Sequence, residues 1–146
     1  MTDSLGYRKL FGVVAPSTNT SVQPEYEAMT PHGVTNHFSR IIIPDTKVND
    51  DASFMEMLNN IRNATDDAVD AVMSCNPDHV ILGMSAESFW DGKDGSDKLK
   101  EHLENRTGVS VTMGSEACLA ALKAYGNIKR IAVVTPYMPI GDENVM

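Results

Sequence analysis

The sequence predicts an α/β fold: a doubly wound, mostly parallel sheet with helices on both faces. Two observations predict it. Short apolar or β-branched segments alternate with longer helix-like segments, and each apolar segment ends at proline, glycine, serine or threonine. Strands this apolar belong inside a parallel sheet that is covered on both faces. Right-handed crossovers then give a flavodoxin-like domain, and we expect residues 1–146 to form that single domain.

Five segments are predicted to be strands because each is short and rich in apolar or β-branched residues. They are residues 9–15, 36–43, 79–83, 109–113 and 130–135.

Four helices are predicted between these strands. The first starts near Ser21, and the longest spans about 51–74, with an apolar stripe at a 3.6-residue period and Asn76-Pro77 as its stop. The third spans about 95–108. The fourth begins at the cap Ser115 and ends at Gly126, a residue suited to a left-handed C-cap.

Composition excludes several classes of function. The formal net charge of −8 argues against a nucleic-acid or anionic-membrane partner, because both require clustered lysine and arginine. The N-terminus lacks the features of a signal peptide, and no run approaches the roughly 18 apolar residues of a membrane helix. We therefore expect a cytoplasmic protein. Its two cysteines, Cys75 and Cys118, are too few for a disulfide framework and are expected to be small, buried, free thiols.

Three segments follow predicted strands and would meet at the carboxyl edge of the sheet, where such folds bind ligands. The first, "GVVAPSTNTSVQPE" (12–25), offers hydroxyls, the Asn19 amide and free backbone N–H groups as a seat for an anion. Its alternative interpretation is an ordinary polar turn and helix cap. The second, "LGMSAESFWDG" (82–92), has small residues that leave room for a ligand. The third, "VVTPYMPIGDENV" (133–145), holds Tyr137 between two prolines.

No motif for a metal or cofactor is present. The four histidines lack metal-binding spacing, and neither the Walker pattern nor the Rossmann glycine pattern follows the first strand. We expect no metal site and no cofactor.

These three segments, together with "TGVSVTMGSEACLAALKAYGNIKRIAVVTPYMPIGDENV", resemble the amino-terminal half of the maleate cis-trans isomerase and arylmalonate decarboxylase branch of the aspartate/glutamate racemase superfamily. The resemblance implies a cofactor-independent enzyme of two similar α/β halves with its active site between them. It also implies a substrate carboxylate held by hydroxyls and backbone amides, and a catalytic cysteine from one half or both.

Carried over residue by residue, the resemblance assigns the carboxylate-binding amide to Asn19 and the carboxylate-binding phenol to Tyr137, and Pro16 and Ser17 of the same loop as Asn19 are also expected to bind the substrate. Ser85 matches a hydroxyl donor, and Ser85 and Tyr137 are expected to be the catalytic residues of this half. Ala86 stands where the decarboxylases have a second hydroxyl, which weakens a decarboxylase assignment.

Met84 is the largest departure from the family pattern. It occupies the position of the first catalytic cysteine of the isomerases and racemases, or of a glycine in the decarboxylases. A thioether can neither attack a double bond nor exchange a proton, so Met84 is expected only to shape an apolar wall.

The second departure is length, because family members are about twice as long. We expect the chain to be a fragment that dimerises through its cleft surface, with the catalytic cysteine in the absent half.

The function expected from the resemblance is isomerisation of a small dicarboxylic acid such as maleate. An arylmalonate-type decarboxylase and an inactive carboxylate-binding relative remain as alternatives. A flavodoxin-like electron carrier is a third alternative, although the first loop lacks the glycine expected of a phosphate loop.

Overall fold

The computed structural model describes residues 3–44, 51–89, 91–135, 142, 143 and 145. Strands and helices alternate as predicted, so the α/β class is confirmed. The elements in chain order are β1 (Lys9–Pro16), α1 (Val22–Met29), β2 (Val34–Ile41), α2 (Asp51–Met73), β3 (His79–Leu82), α3 (Ser85–Phe89), α4 (Gly92–Thr107), β4 (Val111–Met113) and α5 (Gly114–Ala124).

The four strands form one parallel sheet in the order β2-β1-β3-β4. In the register, Val13 pairs with Phe38 on one side and with Ile81 on the other. From β1 the chain first winds outward to β2 and later returns to add β3 and β4 on the opposite side. The winding therefore reverses between β1 and β3, and the loops after these two strands flank the reversal.

The hydrophobic core lies on the face of the sheet that α2 and α4 cover. Its fully or nearly fully buried members are Val14, Ile41, Ala68, Val69, Val72, Val80, Leu82, Leu103, Val111 and Met113. Gly12 lets β1 approach α2 closely, because a Cβ at this position would come within 3.1 Å of Val72 Cγ1. Helices α2 and α4 are also joined at their surface. Arg106 of α4 donates hydrogen bonds of 2.7 and 2.8 Å to the carboxylate of Asp70 in α2, and these bonds lower the pKa of that carboxyl.

The helices on the opposite face of the sheet have largely exposed surfaces. Neither α1 nor α5 contains a buried residue, although Val13 and Ala15 on that face of β1 are fully buried. Large apolar side chains stay exposed on α5 and in the segment after it, at Leu119, Tyr125, Ile128, Ile131, Val133 and Val134. The core cluster therefore lies on the α2 and α4 side, and exposed apolar surface is found on α5 and after it.

The predicted fifth strand, residues 130–135, is wrong. This segment has no regular structure and pairs with no described strand, and Val134 is 96% exposed. Its apolar pattern is strand-like, but a strand also needs a neighbouring edge to bond to. The other differences are small: β2 begins two residues earlier than predicted, α4 begins three residues earlier, and the short α3 was not predicted.

None of the helices among the described residues is long and apolar enough to cross a lipid bilayer.

Candidate active site

A cavity of about 380 Å³ opens at the carboxyl edge of the sheet, beside the reversal of winding between β1 and β3. The loops after these strands form one part of its wall, and α1, α5 and the end of β4 form the rest. Its lining residues are Pro16, Asn19, Val22, Tyr26, Ile81, Leu82, Gly83, Met84, Ser85, Thr112, Met113, Gly114 and Ala117. Four residues singled out in the sequence, Pro16, Asn19, Met84 and Ser85, therefore share one cavity.

Asn19 links the first loop to the start of α1. Its side-chain Oδ1 accepts hydrogen bonds from the backbone N–H groups of Ser21 at 2.9 Å and Val22 at 2.8 Å. Because two donors fix Oδ1, the side-chain NH₂ group is the end of the amide left to serve a ligand. Asn19 thus caps the helix and also supplies a donor beside the cavity, so the two interpretations of this loop are compatible.

The first loop has fewer free backbone N–H groups than its sequence suggested. The N–H of Ser17 donates to the carbonyl of Ile41 at 2.8 Å, and that of Asn19 donates to Pro16 at 3.0 Å. With the two groups bound by Asn19 Oδ1, four N–H groups are used within the protein. An anion held here would therefore depend chiefly on side-chain donors.

Ser17 has a structural position and does not line the cavity. Its hydroxyl accepts a hydrogen bond of 3.0 Å from the backbone N–H of Ile43, just beyond β2. This bond and that from the Ser17 N–H fix the loop to the neighbouring strand.

The loop after β3 is packed tightly against β1. The N–H of Gly83 donates to the carbonyl of Val14 at 2.7 Å, and a Cβ at Gly83 would lie 3.3 Å from both that oxygen and Val22 Cγ1. Ser85 follows as the exposed first residue of α3. This packing places Met84 and Ser85 at the cavity beside Pro16.

Met84 is half-buried and bounds two cavities. Besides the cavity at the strand ends, it lines a second one of about 430 Å³ on the α2 and α4 side of the sheet, and Leu82 is also common to both. Met84 therefore contributes to the walls of both cavities, and its role beside a substrate stays a prediction.

Six lining residues lie outside the segments predicted from the sequence: Tyr26, Ile81, Thr112, Met113, Gly114 and Ala117. They belong to α1, α5 and the last residues of β3 and β4, whereas the sequence indicated only the loops after β1, β3 and the supposed fifth strand. The carboxyl end of β4 could have been included by the same rule that selected the others. Partial burial raises the pKa of Tyr26, and its phenol, like that of any tyrosine, is protonated and able to donate at neutral pH.

Two of the predicted site residues are not placed. Tyr137 lies outside the described residues, and so does the side chain of Ala86, whose backbone belongs to α3. Their roles stay predictions.

Neither cysteine lines the cavity at the strand ends. Cys75 follows α2 and is half-buried, and burial raises the pKa of its thiol. Cys118 lies on α5 and is exposed, so the expectation that it is buried is wrong. In the part of the chain that the structure describes, no group of three or more His, Cys, Asp or Glu side chains could hold a metal ion.

A sequence profile described as arylmalonate decarboxylase matches residues 11–145, nearly the whole chain. The chain belongs to the arylmalonate decarboxylase family. Comparison of this family member with curated protein sequences gave no significant match.

Solved structures share the fold of this arylmalonate decarboxylase family member. Nocardia farcinica maleate cis-trans isomerase bound to TRIS superposes with a TM-score of 0.75 at 20% identity, over 94% of this chain and 56% of that one. The maleate isomerase Iso from Pseudomonas putida S16 gives 0.73 at 23% identity, over 94% and 57%. An arylmalonate decarboxylase gives 0.70 at 20% identity, over 93% and 55%. The chain thus spans little more than half the length of these proteins.

Proposed function

We propose that the chain supplies the carboxylate-binding half of a cofactor-independent isomerase that acts on a small dicarboxylic acid such as maleate. The observation that carries the proposal is the shared cavity. Pro16, Asn19, Met84 and Ser85, which the family resemblance assigns to the site, meet around one space beside the reversal of the winding.

The side-chain chemistry suits a carboxylate. Asn19 offers its NH₂ group and Ser85 its hydroxyl, and we propose Tyr137 as a further donor. Such donors stabilise negative charge that builds up on carboxylate oxygens during a reaction, each by about 3 kcal/mol in comparable sites. Met84 provides an apolar wall against the carbon skeleton.

The nucleophile would come from outside this chain. A cysteine thiolate adds to one carbon of the double bond of maleate, and the displaced electron pair moves to the other carbon and into the carboxylate that this other carbon bears. The remaining single bond between the two carbons then rotates, and expulsion of the thiolate gives fumarate with no net change of atoms. Consistent with this chemistry, one of the similar structures is a mutant of the Nocardia farcinica isomerase with a covalently bound succinylcysteine intermediate.

Two alternatives differ in chemistry. A decarboxylase of aryl- or alkylmalonates would use the same donors to hold one carboxylate while the other leaves as carbon dioxide. An inactive relative would bind a carboxylate without turnover, which the methionine at position 84 permits. The missing hydroxyl at Ala86 favours the isomerase over the decarboxylase.

The deciding experiment is proton NMR on the protein as its own organism makes it. The intact mass is measured first, since a mass near 15.9 kDa would mean that no further chain is attached. The protein is then incubated in deuterated water with maleate, and separately with a malonate. Appearance of fumarate supports the isomerase, and a deuterated monoacid identifies the decarboxylase. Binding without conversion identifies the inactive relative. Either the monoacid or binding without conversion would contradict the proposal that the protein is an isomerase.

A further inference from the structure

Arg40, near the end of β2, forms hydrogen bonds with both the first loop and α1. It does not itself line the cavity, but two of its bonding partners do. Its Nη1 donates hydrogen bonds to the backbone carbonyls of Asn19 at 3.0 Å and Pro16 at 3.4 Å. Its Nη2 donates to Gln23 Oε1 in the first turn of α1 at 2.7 Å. The guanidinium also lies 5.7 Å from the centre of the Phe38 ring. One half-buried cation therefore holds both the loop and the helix that the loop starts.

The partners of Arg40 are all uncharged. None of the ion pairs among the described residues includes Arg40. This is unusual in a chain with a formal net charge of −8, because a half-buried cation is normally compensated by a carboxylate. The guanidinium thus leaves an excess of positive charge directly behind two residues that line the cavity, Pro16 and Asn19.

We propose that Arg40 is a positioning residue for the carboxylate of the substrate, an inference that rests on the proposed function of the cavity. By holding the carbonyls of Pro16 and Asn19, it keeps the loop in the conformation in which Asn19 Oδ1 caps α1 and the NH₂ group remains for the ligand. Its charge also attracts a dianion, since charge interactions are strengthened where protein excludes water.

Arginine suits this position better than lysine. A planar guanidinium can donate in several directions at once and here reaches three acceptors on two elements, whereas an ammonium group is a compact point charge on a flexible stem. Arg40→Lys should therefore keep the attraction for an anion but lose part of the loop geometry. Arg40→Gln should lose both.

The test compares Arg40→Gln and Arg40→Lys with Arg8→Gln. Arg8 is a matched control because its Nη1 donates to the carbonyl of His32, at the other end of β1 from the cavity. Maleate binding is measured by calorimetry at low and high salt. We expect Arg40→Gln to weaken binding about tenfold and to reduce its salt dependence, with Arg8→Gln close to wild type. Arg40→Lys should keep the salt dependence at an intermediate affinity.

Exchange of the backbone amides of Ser21 and Val22 with deuterium gives a second readout that needs no ligand. Because both amides bind Asn19 Oδ1, Arg40→Gln should accelerate their exchange more than Arg8→Gln does. Unchanged exchange at both amides would overturn the positioning role, as would equal maleate affinity in Arg40→Gln and wild type. If the wild-type chain binds no maleate, the proposed function fails, and the exchange rates alone then decide the role of Arg40 in holding the loop.

Discussion

At the scale of single residues, Asn19 has two tasks that a pair of substitutions can separate. Asn19→Asp keeps an oxygen that accepts from the N–H groups of Ser21 and Val22. It also replaces the NH₂ donor with negative charge, so we expect near-wild-type stability and at least about tenfold weaker maleate binding. Asn19→Ala should in addition lower the free energy of unfolding by about 1 kcal/mol. Calorimetry and chemical denaturation measure the two effects.

Thr20→Ala, next to Asn19 and exposed, is the control for these variants. An Asn19→Asp variant that binds maleate as tightly as wild type would show that the amide does not contact the carboxylate.

His79 makes stability depend on pH. Its ring lies between the hydroxyls of Ser110 at 2.6 Å and Thr112 at 2.8 Å, and burial is the main cause that lowers its pKa below 6.5. The unfolded chain then binds the proton more readily than the folded chain, so the stability contributed by the neutral ring is lost as pH falls through this range. We expect the free energy of unfolding to decrease from about pH 7.5 to about pH 5.

His79→Gln should make that decrease smaller, which denaturation at a series of pH values measures. An identical decrease in the variant would assign the pH dependence to other groups.

At the scale of elements, the contact between β1 and α2 is sensitive to added volume. Gly12→Ala brings a methyl group to 3.1 Å from Val72 Cγ1 and 3.2 Å from Pro77 Cγ, and the tightness of this contact should cost about 1–3 kcal/mol. In a Val72→Ala background the same substitution should cost less, because two of the three atoms that it approaches, Cγ1 and Cγ2 of Val72, are absent while Pro77 Cγ remains. A double-mutant cycle on the free energy of unfolding measures this coupling, and strictly additive effects would contradict it.

The four observed strands were predictable because local composition and the parallel sheet require the same residues there. Residues 130–135 have the same composition, but no strand forms. Ile131 and Val133 could face one side of a strand as well as any residue of β1, yet a strand exists only where another edge supplies hydrogen bonds. The edge that a segment meets is a property of the whole assembly, which a local pattern does not contain.

At the scale of the whole molecule, the exposed apolar side chains after α5 predict self-association. Ile131, Val133 and Val134 are 56%, 51% and 96% exposed, and apolar surface of this kind is removed from water when chains associate. Replacing all three by serine should lower the association constant measured by sedimentation, while the free energy of unfolding changes by about 0.5 kcal/mol or less per site. A large loss of stability would mean that these side chains are packed in solution.

The candidate site was predictable in part, because the ends of adjacent parallel strands must meet. This rule selected the segments 12–25 and 82–92 from the sequence, and the family resemblance singled out Pro16, Asn19, Met84 and Ser85 within them. It could not select Tyr26 or Ala117, which reach the cavity only through the positions of α1 and α5 on the sheet. The contacts that position these helices are between distant residues, so no short segment of sequence contains them.

The central place of β1 also determines when the cavity can form during synthesis. β1 is synthesised before the other three strands of this sheet and can pair with β2 as soon as β2 follows, but its other partner is β3, which begins only at His79. Until then the second edge of β1 stays open, and the wall that Gly83 and Met84 provide does not exist. The last part of the wall is completed only when Ala117 of α5 has been synthesised. The cavity is therefore a late product of folding, and a nascent chain that ends before Ala117 lacks part of its wall.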